Sequence, residues 1–136
     1  MTDFNASVIE EFRANHGKVG GSFENATLLL LHHTGARTGA ERVTPLAYQK
    51  VGDTYAIFAS KGGAPVNPDW FHNVIAHPHL SIEVGDDTIP VNARLAEPTE
   101  RDVIYARQVE RAPHFGEYVK NAAPRIIPVV ILDPVR

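Results

Sequence analysis

Two short turns hold most of the residues in this chain that could act on a small molecule. Gly35-Ala36-Arg37-Thr38-Gly39 is followed closely by Arg42, and Ser60-Lys61-Gly62-Gly63 ends a later apolar segment. Thr34 enters the first turn from Leu28 to Leu31, an apolar run with the composition of a buried strand. Arg42-Val43-Thr44-Pro45-Leu46 restarts extended chain, and Tyr55 to Ala59 carries it into the second turn. Glycine lets backbone N–H groups approach a ligand, and arginine and lysine supply charge-assisted donors. Glycines, hydroxyls and cations at two strand ends therefore suit a phosphorylated, anionic cofactor. The second turn is not a Walker loop, because it lacks the spaced first glycine and the Lys-Ser/Thr pair.

Other chemistries lack their equipment. His32 and His33 are adjacent and point to opposite faces of a strand, while His77 and His79 flank Pro78 with no carboxylate at ligand spacing. No metal site is expected. None of Ser7, Ser22, Ser60 and Ser81 stands in a Gly-x-Ser-x-Gly elbow, and Asp86-Asp87 and Glu10-Glu11 suit a solvated turn and a helix. An enzyme built this way must leave the reaction to a bound cofactor. Trp70, the one tryptophan, follows the second turn. It suits a core anchor and a wall for a flat ring equally well.

The totals describe an ordinary globular chain. With 136 residues, 43% hydrophobic and 21% charged, a single domain over 1–136 is expected. Within it, 1–21 reads as an N-terminal helix and linker and 22–136 as the main body. A net charge of -3 argues against general nucleic-acid binding. Between His32 and Gly63, however, Arg37, Arg42, Lys50 and Lys61 face only Glu41 and Asp53, a local excess that can steer an anion. No cysteine, no signal peptide and no membrane-spanning apolar run is present, so a cytoplasmic protein is expected. Peripheral contact with the inner membrane face stays open, as does the choice between monomer and homodimer.

These residues need a scaffold. A helix is expected from about Asn5 to Asn15, with Ser7 and Glu10 at capping-box spacing and Phe4, Val8 and Phe12 on one face beside Ile9. Its apolar stripe would pack on the body, and Lys18 to Gly21 would follow as linker. Strands are expected at Ala26 to His32, Arg42 to Val51, Thr54 to Ala59, Leu80 to Val84 and Thr88 to Leu95, the last two a hairpin about Gly85-Asp86-Asp87. Asn67 would cap a helix through Trp70 to Ala76 with Pro68 at its first position. Thr99 and Asp102 mark a capping box before a helix to Arg111, and Phe115 to Asn121 a shorter one. Ile126 to Leu132 is a final strand in which Pro128 suggests an edge or bulge. Six strands on short turns with few crossover helices make a mainly β (α+β) fold, an antiparallel barrel with helices packed outside. Closure would remove exposed edges.

At Leu29-Leu-Leu-His-His-Thr-Gly-Ala-Arg-Thr-Gly39, Arg42-Val-Thr-Pro-Leu46, Ser60-Lys-Gly-Gly-Ala64, Asn67-Pro-Asp-Trp70, Asn73 and Arg125-Ile-Ile-Pro-Val-Val130 the chain resembles the deazaflavin-dependent nitroreductases of actinobacteria. Those proteins are split β-barrels, of the FMN-binding split-barrel type, that use coenzyme F420. The resemblance implies that Arg37, Thr38 and Arg42 hold the coenzyme's phosphate and acidic tail, with Thr34 and Gly39 in the same turn. It implies Val43, Thr44 and Pro45 along the deazaflavin ring, Ser60, Lys61, Gly62 and Gly63 at ring and linker, and Trp70 and Asn73 at the border. It places the substrate near Phe115 and Tyr118, with Tyr118 a candidate proton donor. Ala112 and Phe115 stand where some members carry tyrosine, a departure that disfavours nitroimidazoles and suits a quinone better. The implied activity is an F420H2-dependent reduction of a small planar acceptor, a quinone, nitro or enone compound. FMN is the alternative cofactor, and a non-catalytic carrier of a deazaflavin or lipid-like ligand the alternative role.

Overall fold

A computed structural model describes residues 2–17 and 27–135. The expected linker at Lys18 to Gly21, the start of the first strand at Ala26 and the side chain of Phe4 lie outside the described residues. Six strands, β1 (Leu28–Thr34), β2 (Glu41–Val51), β3 (Thr54–Phe58), β4 (His79–Val84), β5 (Asp87–Leu95) and β6 (Val129–Pro134), close into one barrel in the order β1-β2-β3-β6-β5-β4. Every neighbouring pair is antiparallel. Among the described residues four α-helices accompany them: α1 (Thr2–Ala14), α2 (Asp69–Ala76), α3 (Pro98–Arg111) and α4 (His114–Ala122).

Alternation along the strands divides the apolar residues between two faces. Leu29, Leu31, Ile57, Ile82, Val91, Val130 and Leu132 fill the barrel, where Trp70 and Val74 of α2 join them. Leu28 and Leu30 face outward and are covered by Val8 and Phe12 of α1. Ala56, Phe58, Val129 and Ile131 are covered by Ile104 and Tyr105 of α3 and Phe115 and Ala122 of α4. Gln49, also turned outward, donates to the Ile104 carbonyl at 3.1 Å and to Gln108 Oε1 at 3.2 Å, tying α3 to β2.

Several expected boundaries move for identifiable reasons. Helix α1 begins at Thr2, so Ser7 lies inside it and not at its cap. Helix α3 begins at Pro98, whose fixed φ suits a first helical position, and Glu97 with Glu100 forms the capping box expected two residues later. Asn67 does not cap α2; Pro68 takes that position, and the Asn67 side chain accepts a hydrogen bond from Arg125. Pro128 precedes β6, which has a partner on both sides, so its missing N–H removes no ladder bond and marks neither edge nor bulge.

The Phe12 side chain is fully buried between α1 and the barrel. Phe12→Ala is expected to destabilise the fold by about 3–5 kcal/mol, read by urea denaturation. A loss under about 1 kcal/mol would mean that α1 does not dock as seen.

Candidate functional site

Antiparallel order puts the C-terminal ends of β1 and β3 and the N-terminal ends of β2 and β6 at one end of the barrel. Both glycine turns therefore meet there. The β2–β3 ladder runs from Val51↔Thr54 to Tyr48↔Ile57, so the second turn, which begins three residues after Ile57, lies on the Arg42 side of Tyr48. The two turns flank the same short length of β2.

The first turn is closed by its own backbone: the Gly35 N–H donates to the Ala40 carbonyl at 2.8 Å and the Gly39 N–H to the Gly35 carbonyl at 2.9 Å. Gly39 has φ 71°, a conformation side chains resist. Thr38 Oγ1 accepts from the Ala40 N–H at 3.2 Å, so its own hydrogen remains to be donated. A cleft of about 540 Å3 opens between Arg37, Thr38 and Arg42 on the turn and Asp69, His72 and Asn73 on α2.

A chain of hydrogen bonds clamps this turn to α2. The Ala36 N–H donates to Asn73 Oδ1 at 2.9 Å, and Asn73 Nδ2 donates to His33 Nδ1 at 3.0 Å. With Nδ1 accepting, the neutral His33 ring carries its proton on Nε2, which donates to Thr44 Oγ1 at 2.8 Å. Burial holds the imidazole neutral, with a pKa lowered to about 4, and the positive charge of Arg42 and the neighbouring His32 act in the same direction.

The second turn passes from Ser60, right-handed at φ -76° and ψ -40°, to Lys61, left-handed at φ 49°. That alternation turns successive N–H groups toward one concavity, a form suited to anions. Gly63 is pressed against α4: an added Cβ would lie 2.9 Å from Asn121 Cβ and 3.1 Å from the Tyr118 backbone. Arg125 stands behind the turn and donates to the carbonyls of Ala59, Ser60 and Ala64.

Between the turns the outward face of β2 presents Val43, Pro45 and Ala47. Ala47 touches both the cluster under α1 and the cluster under α3 and α4, so a shallow apolar strip runs between the helices. Val43 packs toward α1, whereas Thr44 is on the opposite face of the strand and joins the His33 chain. The structure thus gathers Arg37, Thr38 and Arg42 at the cleft, with half-buried Thr34 at the end of β1. It gathers Ser60, Lys61, Gly62 and Gly63 at the second turn. Trp70 is buried in the barrel, and Asn73 spends both its amide atoms on the clamp, so both support the site from behind. Phe115 is buried against Phe58 and Tyr105, with centroids 5.4 and 6.2 Å away, and Ala112 packs on the same cluster. Tyr118 is half-buried beside Phe115 and His114.

Reading the residues had not singled out Asp69 and His72, whose i, i+3 spacing on one helix beside Asn73 is their one sequence signal. Nor had it given Arg125 a role, since nothing local in Arg125-Ile-Ile-Pro shows what the guanidinium reaches. Among the described residues no three His, Cys, Asp or Glu side chains gather as metal ligands.

A family model described as F420H(2)-dependent quinone reductase matches residues 6–134, nearly all of the barrel and its helices. The chain belongs to the F420H(2)-dependent quinone reductase family. An F420H(2)-dependent quinone reductase of Mycobacterium tuberculosis is 38% identical over 124 residues, 89% of this chain and 83% of that protein. A solved F420-H2 dependent reductase superposes with TM-score 0.71 at 38% identity, covering 78% of this chain and 93% of its own. Another solved structure, described as a domain-swapped dimer, gives TM-score 0.72 at 34% identity over 97% of this chain and 98% of its own. The closed barrel is the split-barrel fold that the sequence implied, and membership makes the chain an oxidoreductase whose cofactor is coenzyme F420 rather than FMN.

Because His33 is held neutral in the folded chain, unfolding takes up a proton between about pH 6.5 and 4, and folded stability falls as pH drops through that window. His33→Gln, which keeps one donor and one acceptor, is expected to remove this part of the pH dependence. Urea denaturation of both proteins across the window reads it. Parallel curves would mean that His33 is not held neutral.

Proposed function

We propose that the family's coenzyme lies across the β2 strip, with its phosphate and acidic tail at Arg37, Thr38 and Arg42 and its ring edge at Ser60, Lys61 and Gly62. One observation carries this: two donor turns, one joining β1 to β2 and one following β3, stand at the same end of the barrel. The donor set fits an elongated anion with a flat ring. Charged groups line the cleft, and the strip between them is apolar.

When bound, the reduced deazaflavin supplies a hydride to a quinone acceptor. The chain's part is to hold ring and acceptor in reacting geometry, a contribution of roughly 7–11 kcal/mol when orientation is complete. Pro45 and Ala47 keep water from one ring face. Lys61 and the N–H groups beside it favour negative charge on the adjoining ring edge. In this reading Tyr118, a half-buried residue whose backbone packs against Gly63, gives a proton to the product. Phe115, locked in the aromatic cluster, shapes the wall through the position of Tyr118. A relative described as a domain-swapped dimer supports a homodimer. No helix among the described residues is long and apolar enough to cross a membrane.

Binding titrations with oxidised coenzyme F420 and with FMN, followed by fluorescence, test the assignment; preference for the deazaflavin is expected and preference for FMN overturns it. Arg37→Ala with Lys61→Ala should weaken coenzyme binding by more than about tenfold, since each charged hydrogen bond contributes on the order of 1.5–3 kcal/mol. Unchanged affinity in the folded double variant would place the phosphate elsewhere.

A further inference from the structure

We infer that Arg125 is a positioning residue: by holding the carbonyls of Ala59 and Ser60 it aims the N–H groups of Ser60 and Lys61, and so makes the protein hold the reduced coenzyme more tightly than the oxidised one. The inference rests on the coenzyme reading given above.

Arg125 spends every donor it has. Nε donates to the Ala64 carbonyl at 3.0 Å, Nη1 to the Ala59 carbonyl at 3.0 Å and to Asn67 Oδ1 at 2.7 Å, and Nη2 to the carbonyls of Ser60 at 2.9 Å and Ala64 at 2.7 Å. A guanidinium has five N–H donors, so this one has none left for a ligand. Its effect must pass through the groups it holds. In a trans peptide the N–H points opposite to the carbonyl. Drawing the Ala59 and Ser60 carbonyls toward Arg125 therefore directs the Ser60 and Lys61 N–H groups away from it. The right-handed to left-handed step from Ser60 to Lys61 brings those donors toward a common point. The fixed positive charge behind the carbonyls also polarises both peptides, which strengthens the donors in front.

Two features keep the arrangement rigid. Gly63 donates back to the Ser60 carbonyl at 2.9 Å and lies too close to α4 for a side chain. Asn67, displaced from the cap of α2, fixes the guanidinium from its far side. Preorganised donors of this kind favour the state whose negative charge is concentrated on the ring edge they face, and in the reduced coenzyme that is the pyrimidine edge. Lysine cannot take over, since an ammonium offers a point charge without the planar fork.

The test measures dissociation constants for oxidised and reduced coenzyme F420, anaerobically, with wild type, Arg125→Lys and Asn67→Ala, together with thermal melting of each. Wild type is expected to bind the reduced form more tightly. Arg125→Lys should cut that preference by about tenfold, the effect of losing roughly one charged hydrogen bond, while oxidised binding changes far less. A merely structural arginine would weaken both forms alike or lower only the melting temperature. Equal loss for both forms, or an unchanged ratio, overturns the inference. Should Arg125→Lys fail to fold, Asn67→Ala, which leaves the guanidinium in place but frees one side, must still narrow the ratio; a wild-type ratio there overturns it too. Wild type that binds neither form overturns the coenzyme reading itself, a result distinct from wild type that binds well beside an Arg125 variant of unchanged ratio.

Discussion

The pairing of β4 with β1 is the interaction on which the rest depends. Once Leu30, Leu31 and His32 pair with Glu83, Ile82 and Ser81, no strand has an open edge and every residue must face either the interior or the outside. The interior is filled by aliphatic side chains with Tyr48 and Tyr55 packed against them, and Trp70 and Val74 of α2 join the same cluster. The outside needs separate covers, supplied by α1 on one side and α3 with α4 on the other. Between those covers β2 is left thinly covered. An apolar strip stays open there because closure leaves more outward surface than the described helices mask.

Polar groups inside this frame are used for alignment. His33 sits where an aliphatic residue would continue the interior pattern of Leu29 and Leu31, and its neutral ring passes one direction of hydrogen bonding from Asn73 to Thr44. Burying a polar ring without partners would cost on the order of 1–3 kcal/mol, so the chain of partners permits it there. The same helix thus plugs the barrel with one residue and orients the binding turn with another. On the outer side Glu83 of β4 binds Arg13 of α1 at 2.6 and 3.1 Å and His32 of β1 at 2.6 Å. Those contacts hold its carboxyl below the usual carboxylate range.

Much of this was legible in the residues. Apolar runs, the Gly85-Asp86-Asp87 turn and the Val8–Phe12 stripe point to the strands and to the docking of α1 because they follow period and turn chemistry, which are local. The two glycine turns are legible for the same reason. What escaped was decided across the fold. Asn67 has the form of a cap, yet Arg125, distant in sequence, claims its oxygen. Thr99 and Asp102 match a capping pattern as well as Glu97 and Glu100 do, and Pro98 settles which pair wins. Val43 and Thr44 adjoin in sequence but lie on opposite faces of β2, Val43 on the outer strip and Thr44 on the inner side with His33. Trp70 suited a ring wall as well as a core anchor, and the resemblance put Phe115 near the substrate; in the fold both side chains fill cores.

The position of Trp70 gives the protein an internal optical probe. It is the sole indole of the chain, it is shielded from water at the mouth of the barrel, and it lies one helical turn before Asn73. Its emission therefore originates from one place, mechanically joined to the loop that carries Arg37 and Thr38. Any occupant of the cleft that shifts α2 alters the surroundings of that indole, and a chromophoric occupant can quench it by energy transfer. Events at the mouth of the barrel are thus visible in unlabelled protein.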